Sequence, residues 1–270
     1  MEKRPDFSSF FASGLAQERR IAMKAAYRKH APIWDLFLGD RTREIECWDT
    51  LACKYGSKIL SPMAATGEIG AALSSRGYSV TILELEKEMI KEGRRKYGKV
   101  KNLSFAEADV RDFSLEEKNF DFSFIGTADF HHFLSRSDQL SALKCLYNHI
   151  RPGGGLGLEL WYPPENSRVT PWREYHPFRP AGEGLKVKKK GRTIFSKPGN
   201  RVRIEQEIFV EYNGEKEQFR HDIALQLLEP REVFDLLERT GFLLINEFGN
   251  YDLDPRKDNS TGWIVEARKK

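Results

Sequence analysis

Carboxylates close the apolar runs of this chain. Glu84 ends Ser79-Val80-Thr81-Ile82-Leu83, and Asp109 follows Leu103-Ser104-Phe105 in the turn Glu107-Ala108-Asp109. An acid directly behind a strand can accept hydrogen bonds from both hydroxyls of a ribose. A second acid, one strand further on, can accept from the exocyclic amine of adenine. Either residue alone is also what an exposed strand end commonly carries; their order gives them meaning. His131 and His132 lie in the loop after a further run, Phe120 to Ile125, and Glu159 stands near the end of Leu156 to Leu160. No Glu or His at helical ligand spacing accompanies the two histidines, so they read as structural or substrate-facing and not as a metal centre. His132 can serve as a general base or as a hydrogen-bonding positioner. Glu159 can face a substrate, or sit buried and paired with a neighbouring donor.

The elements that hold these residues alternate. Gln17 to Cys53 reads as helical, interrupted at Pro32. Lys58-Ile59-Leu60 is a strand that should stop at Ser61-Pro62, because proline has no N–H for a ladder. Ala64 to Ser75 and Lys87 to Tyr97 read as helices between strands, and Ser137 can cap a helix to Ile150. Strands separated by helices of this length specify a parallel sheet covered on both faces. Beyond Tyr162-Pro163-Pro164 the pattern becomes period two. Thr193 to Ser196, Arg201 to Tyr212 and Lys216 to Leu228 alternate around the hairpin signal Asn213-Gly214, which predicts an antiparallel meander. Tyr212, Phe219, His221 or Ile223 from this meander should close a pocket over the sheet. Trp161, Tyr162, Trp172 and Tyr175 can wall a substrate pocket, and core packing accounts for them about as well. A helix, Arg231 to Thr240, and two strands, Phe242 to Phe248 and Trp263 to Ala267, finish the chain. The expected units are a helical lid (1–55), a core (56–164), an inserted cap (165–228) and a completing segment (229–270).

Composition narrows the function classes. Hydrophobic residues at 40% and charged residues at 31% suit a water-soluble globular protein. A net charge of +4 is too small to imply a polyanionic partner. No apolar run approaches the roughly 20 residues of a membrane span. MEKRPDFSSFFASG has charges and a proline where a secretory leader needs an apolar stretch. Cys47, Cys53 and Cys145 have neither CxxC spacing nor an even count. A reducing, cytoplasmic setting is the expectation. Lys186 to Arg203 holds eight Lys or Arg and no acid, which could touch RNA phosphates. Glu205, Glu207, Glu211, Glu215 and Glu217 follow it and could pair with it, so a solvated hairpin is the better reading.

From Tyr27 to about Lys269 the chain resembles the S-adenosylmethionine-dependent methyltransferases of the small-molecule type, a group that includes amino-sugar N-methyltransferases. The resemblance rests on AYRKHAPIWD (26–35), KILSPMAATGEIGAALSSRGYSVTILELEKEMI (58–90), FAEADVRDF (105–113), FDFSFIGTADFHHF (120–133), HIRPGGGLGLELWYPP (149–164) and LEPREVFDLLERTGF (228–242). It implies an α/β, Rossmann-like seven-stranded sheet in the order 3-2-1-4-5-7-6, strand seven antiparallel, with the β cap inserted. It implies S-adenosylmethionine as cofactor and a small-molecule acceptor. Position by position, Tyr27 and Trp34 become lid aromatics. Glu84 takes the ribose, Leu85 lies against adenine, Asp109 with Val110 contacts the base edge, and Met89 joins the cofactor-binding residues. Gly126 and Thr127 border the methionine portion, and His132 lies near the substrate. His131, Trp161, Tyr162, Tyr212 and His221 complete the acceptor side.

One segment departs from that family. Its loop after the first strand reads acid-x-G-x-G-x-G, and here those positions are Ser61-Pro62-Met63-Ala64-Ala65-Thr66-Gly67. Met63, Ala64, Ala65 and Gly67 should still border the cofactor. Glycine serves there because the backbone turns tightly and approaches the ligand without a Cβ. Three readings follow: a methyltransferase acting on N or O of a small molecule, a non-catalytic relative that kept the fold, and an RNA methyltransferase.

Overall fold

The computed structural model describes residues 30–161, 169–181, 183–196, 200–260 and 262–270. A 3-10 helix, Ala31–Phe37, leads into helix α1 (Thr42–Ala52). Strand β1 (Lys58–Pro62), α2 (Glu68–Ser75), β2 (Ser79–Glu84), α3 (Lys87–Tyr97), β3 (Leu103–Glu107), β4 (Phe120–Ile125), α4 (Arg136–His149) and β5 (Ile150–Trp161) then alternate. An antiparallel series follows: β6 (Arg173–Tyr175), β7 (Leu185–Ser196), β8 (Arg201–Tyr212) and β9 (Glu215–Gln226). Helix α5 (Pro230–Thr240), β10 (Phe242–Phe248) and β11 (Gly262–Lys269) complete the chain.

The main sheet has seven strands in the order β10-β11-β5-β4-β1-β2-β3. β11 runs antiparallel to both neighbours, and the other inner pairings are parallel. Read from β3, this is the expected 3-2-1-4-5-7-6. Period-two alternation divides each central strand between two faces. Ile59, Ile82, Phe122 and Phe124 meet Trp48 and Leu51 of α1 and Leu73 of α2. Leu60, Leu83, Ile125 and Leu158 meet α4 and α5 through Leu143, Leu146, Val233 and Leu236. Side chains that face neither helix layer gather at the carboxyl ends of the strands, where ligands bind in such sheets.

Some boundaries differ from the sequence reading. Pro62 stays in β1, opposite Leu83, because the ladder to β4 has already ended at Leu60 and no N–H is needed there. Helix α2 starts at Glu68, not Ala64, since Met63, Ala65 and the N-cap Gly67 all have positive φ, which breaks any helix. Ser135, rather than Ser137, caps α4 by accepting the Asp138 N–H.

The second sheet is ordered β6-β7-β8-β9 and turns between β8 and β9 at Asn213-Gly214, with φ of 50° and 89°. Two left-handed residues are what a two-residue hairpin needs. The basic run lies mainly on strand β7, with Arg201 and Arg203 on β8. Lys186, Lys190 and Arg192 stand opposite Glu211, Glu207 and Glu205, with Lys186–Glu211 at 2.9 Å and Arg192–Glu205 at 2.6 Å. The 3-10 helix wedges between the sheets. Ile33 packs on Val187 and Ile208 of the cap. Asp35, buried, accepts from Thr66 Oγ1 and from Lys96 Nζ of α3, both at 2.8 Å. Among the described residues no helix is long and apolar enough to cross a membrane.

Candidate active site

A cavity of about 740 Å³ lies at the carboxyl ends of β2 to β5. Leu83, Glu84 and Leu85 enter it from β2, Asp109 and Val110 from beyond β3, Thr127 and Asp129 from beyond β4, and Glu159 and Trp161 from β5. Trp34 of the 3-10 helix closes one side. Ile204, Ile223 and Leu225 of the cap form an apolar wall, and Tyr251 reaches in from the β10–β11 connection.

The loop after β1 sets the first half of the site. Its φ values are 57° at Met63, 49° at Ala65 and 83° at Gly67. All three positions that are glycine in the family pattern are therefore left-handed, and the glycine-type path survives with side chains on it. Each non-glycine residue held this way costs about 1–2 kcal/mol. Glu84 holds the turn. Its Oε2 accepts the Ala65 N–H at 2.8 Å, while Oε1 accepts the N–H of Leu85 at 2.9 Å and Glu86 at 3.1 Å. Burial outweighs those donors and pushes the Glu84 carboxyl up to about 7. Next along the sheet, Asp109 accepts from Arg111 Nε at 2.9 Å, and Arg111 also reaches Asp138 at 3.1 Å.

The loop after β4 sets the other half. Thr127 and Ala128 are consecutive left-handed residues, at φ 56° and 58°. The Thr127 N–H donates to Glu159 Oε2 at 2.6 Å, and the Tyr251 hydroxyl donates to Glu159 Oε1 at 2.6 Å. Burial, then the nearby Glu44, push the Glu159 carboxyl up to about 7. Arg41 grips Glu44 with Nε and Nη2, each at 2.8 Å, and its Nη2 also donates to Thr127 Oγ1 at 2.8 Å. Burial raises the Asp129 carboxyl against the opposing pull of His132, whose Nε2 lies 3.6 Å away. Gly126 relieves crowding here. A Cβ would sit 3.0 Å from Glu44 Oε1 and 3.4 Å from the buried Trp48 Nε1.

A small cleft of about 30 Å³ adjoins the main cavity and is bounded by Arg41, Ser61, Met63, Ala64, Gly126 and Asp129, among others. Trp34, Met63, Ala65, Thr127 and Asp129 line both spaces. The main volume suits a nucleoside-sized ligand with a small acceptor beside it. The cleft has room for about one water.

Of the residues singled out from the sequence, Trp34, Met63, Ala65, Glu84, Leu85, Met89, Asp109 and Val110 line the cavity. Thr127, His132, Glu159 and Trp161 do so as well, and Ala64 and Gly126 border the cleft. Seven do not reach either space: Gly67, His131, Tyr212 and His221, and also Trp172, Tyr175 and Phe219. Gly67 caps α2 behind the loop. His131 is fully buried; its Nε2 accepts the Trp161 N–H at 2.9 Å and Nδ1 donates to the Gln226 carbonyl at 2.8 Å, so it ties β5 to β9. Tyr212 stands exposed at the hairpin tip, beside Asn213. His221 is buried, with Nδ1 3.1 Å from Nδ1 of His30. Gly67 and His131 are taken up by the helix cap and the β5–β9 tie, while position along the strand keeps Tyr212 and His221 from the cavity. Tyr27 and Tyr162 lie outside the described residues. Arg41, Glu44, Asp129 and Tyr251 were missed. Asp129 falls in the quoted segment 120–133, but nothing in the spacing of the other three signals a shared site.

Residues 59–154 match a family model described as "Methyltransferase domain". This chain has the class I methyltransferase fold. A solved S-adenosylmethionine-dependent methyltransferase from Clostridium acetobutylicum superposes with a TM-score of 0.75 at 13% identity, covering 90% of this chain and 99% of that one. An amino pentose methyltransferase of calicheamicin biosynthesis from Micromonospora echinaspora gives 0.64 at 20% identity, covering 92% and 96%. The demethylmenaquinone methyltransferase of Staphylococcus epidermidis is 29% identical over 109 residues, 39% of this chain and 43% of that relative. The curated relatives are thus matched over 43% of their length.

Proposed function

We propose that this methyltransferase-fold chain transfers the methyl group of S-adenosylmethionine to a nitrogen or oxygen of a small molecule. One observation carries the reading: Glu84 and Asp109 stand on adjacent strand ends at one side of a cavity whose other side is walled by cap residues Ile204, Ile223 and Leu225. Glu84 would accept from the ribose, Leu85 and Met89 would flank adenine, and Asp109 with Val110 would meet the base edge. Asp129 would supply the carboxylate that Ser61 does not. When bound, the cofactor supplies a methyl group already activated on a sulfonium. The chain's own work is to align the acceptor and exclude water. Trp34 and the cap serve exclusion, and Glu159 and His132 are the polar groups on the acceptor side. The acids of β8 that face the basic strand favour a small acceptor over RNA.

The adenosine half fits this lining; the amino-acid half meets Met63. The narrow cleft favours a second reading, a methyltransferase-fold protein that binds a different ligand. S-adenosylhomocysteine distinguishes them. It should raise the melting temperature by mass action, by about 2.7 kcal/mol at 100 times Kd, and Glu84→Ala should abolish most of that shift. Met63→Gly should tighten binding by opening the cleft. No calorimetric heat at millimolar ligand, with parent and Met63→Gly alike, sinks the enzyme reading in favour of the second.

A further inference from the structure

The main cavity and the small cleft meet at Thr127 and Asp129, two of the five residues common to both. Met63, Thr127 and Asp129 also line the main cavity with Glu84, so a ligand with its nucleoside at Glu84 and its amino-acid end towards Asp129 would carry its sulfur past Thr127. This step rests on the methyltransferase reading. The charges around the junction are unequal. At the start of α1, Arg41 pairs with Glu44 at 2.8 Å, and Glu44 still adds negative charge beside Glu159. Arg111 is engaged by Asp109 and Asp138. Glu159 and Asp129 remain, with His132 beside Asp129 and Tyr251 on Glu159. Cys47 of α1 also feels Glu159, and its thiol is pushed up to about 12, mainly by burial, so it stays neutral.

Tyr251 matters because of where it comes from. It belongs to the β10–β11 connection, 92 residues from Glu159, and its hydroxyl takes Oε1 while the Thr127 N–H takes Oε2. Burial and the neighbouring Glu159 keep the phenol protonated, so it can only donate here. The carboxylate is thereby held in one orientation at the junction wall.

We propose that Tyr251 positions Glu159, together with Asp129, as a charge selector that favours the sulfonium of S-adenosylmethionine over the neutral thioether of S-adenosylhomocysteine. Glu159 acts on the bound charge; Tyr251 acts through Glu159. Preference for the charged form helps the spent product leave.

Calorimetry with the two compounds, with no acceptor present, tests this. At pH 8 the parent should bind S-adenosylmethionine at least tenfold more tightly, equivalent to about 1.4 kcal/mol. The ratio should shrink towards one at pH 6, as Glu159 takes up a proton. Glu159→Gln should remove the preference at pH 8 by weakening only the charged ligand. Tyr251→Phe should reduce the ratio several-fold while leaving S-adenosylhomocysteine binding in place. Should either variant misfold, the pH series on the parent decides alone. Homocysteine-form binding as tight as sulfonium binding at pH 8, or a ratio untouched by pH, overturns the selector and spares the methyltransferase reading. Binding of neither compound overturns both.

Discussion

The loops after β1 and after β4 meet the same difficulty by different means. Each turns through two left-handed residues that are not glycine, Met63 and Ala65 in one, Thr127 and Ala128 in the other. In each, a cavity-facing carboxylate takes the N–H of one such residue: Glu84 from Ala65, Glu159 from Thr127. The first clamp is local. Its donors are three backbone N–H groups within residues 65–86, and it is assembled once β1 and β2 pair. The second draws on α1, β5 and the β10–β11 connection, and adds a second acid, Glu44, behind the first. A local clamp forms early and resists remote change. A clamp built from distant segments makes the acceptor side depend on the whole chain being folded.

Proton linkage offers the largest test of that contrast. Both carboxyls are pushed from an unfolded value of 4.5 to about 7, so the folded state holds each proton more tightly than the unfolded chain. Their stabilisation is complete below pH 4.5 and is lost as pH rises through 7. Glutamine cannot lose a proton. Glu84→Gln and Glu159→Gln should therefore each gain on the parent in urea unfolding between pH 4.5 and 8, by up to about 3 kcal/mol, reduced at both by solvent screening of these half-buried groups. A larger gain at Glu159 sharpens the contrast by exposing the cost of Glu44. A gap between parent and variants that stays flat with pH breaks it.

Steric filling of the second clamp comes next. Gly126→Ala places a methyl 3.0 Å from Glu44 Oε1, a residue of α1 remote in sequence from the β4 loop. Stability should fall by about 1–2 kcal/mol, with weaker S-adenosylhomocysteine binding by calorimetry. An unchanged midpoint would show that Arg41 and Glu44 can shift freely, and that the remote clamp is looser than its contacts imply.

The smallest effect comes from relieving strain. Ala65→Gly removes a left-handed penalty of about 1–2 kcal/mol and adds unfolded-state entropy of about 0.4–1 kcal/mol. Denaturation should register a net gain of under about 1 kcal/mol. At Thr127→Gly the same relief is offset by loss of the Arg41–Thr127 Oγ1 bond, so no gain is expected. If both gain equally, the Arg41 contact adds nothing and the two loops are alike.

Legibility in the sequence followed the range of each interaction. The antiparallel meander and the strand-end positions of Glu84 and Asp109 were readable because strand periodicity and strand ends are local properties, while the strand order and the place of Trp34 came with the family resemblance. The degraded loop was readable as a departure, but not its backbone. Met63 and Ala65 keep the left-handed path only because Glu84 and the Thr66–Asp35 contact hold it. His131 misled for a related reason. Adjacent histidines in one loop point different ways, and only the Trp161 and Gln226 backbone groups determine which is buried.

By itself, then, the sequence determined the alternation of strands and helices, the face each strand buries, and the acids that cap the strands. These follow from period-two and period-3.6 patterning and need no knowledge of distant partners. Only the tertiary structure decided that Glu159 meets Tyr251 and Thr127, that Arg41 stands between Glu44 and the β4 loop, and that His221 and Tyr212 miss the cavity. Those outcomes depend on side-chain distances across more than 80 residues of chain, as between Arg41 and Thr127 or Tyr251 and Glu159. Hydrogen bonds at 2.6–2.8 Å form or fail with shifts of a fraction of an ångström, which no local pattern encodes.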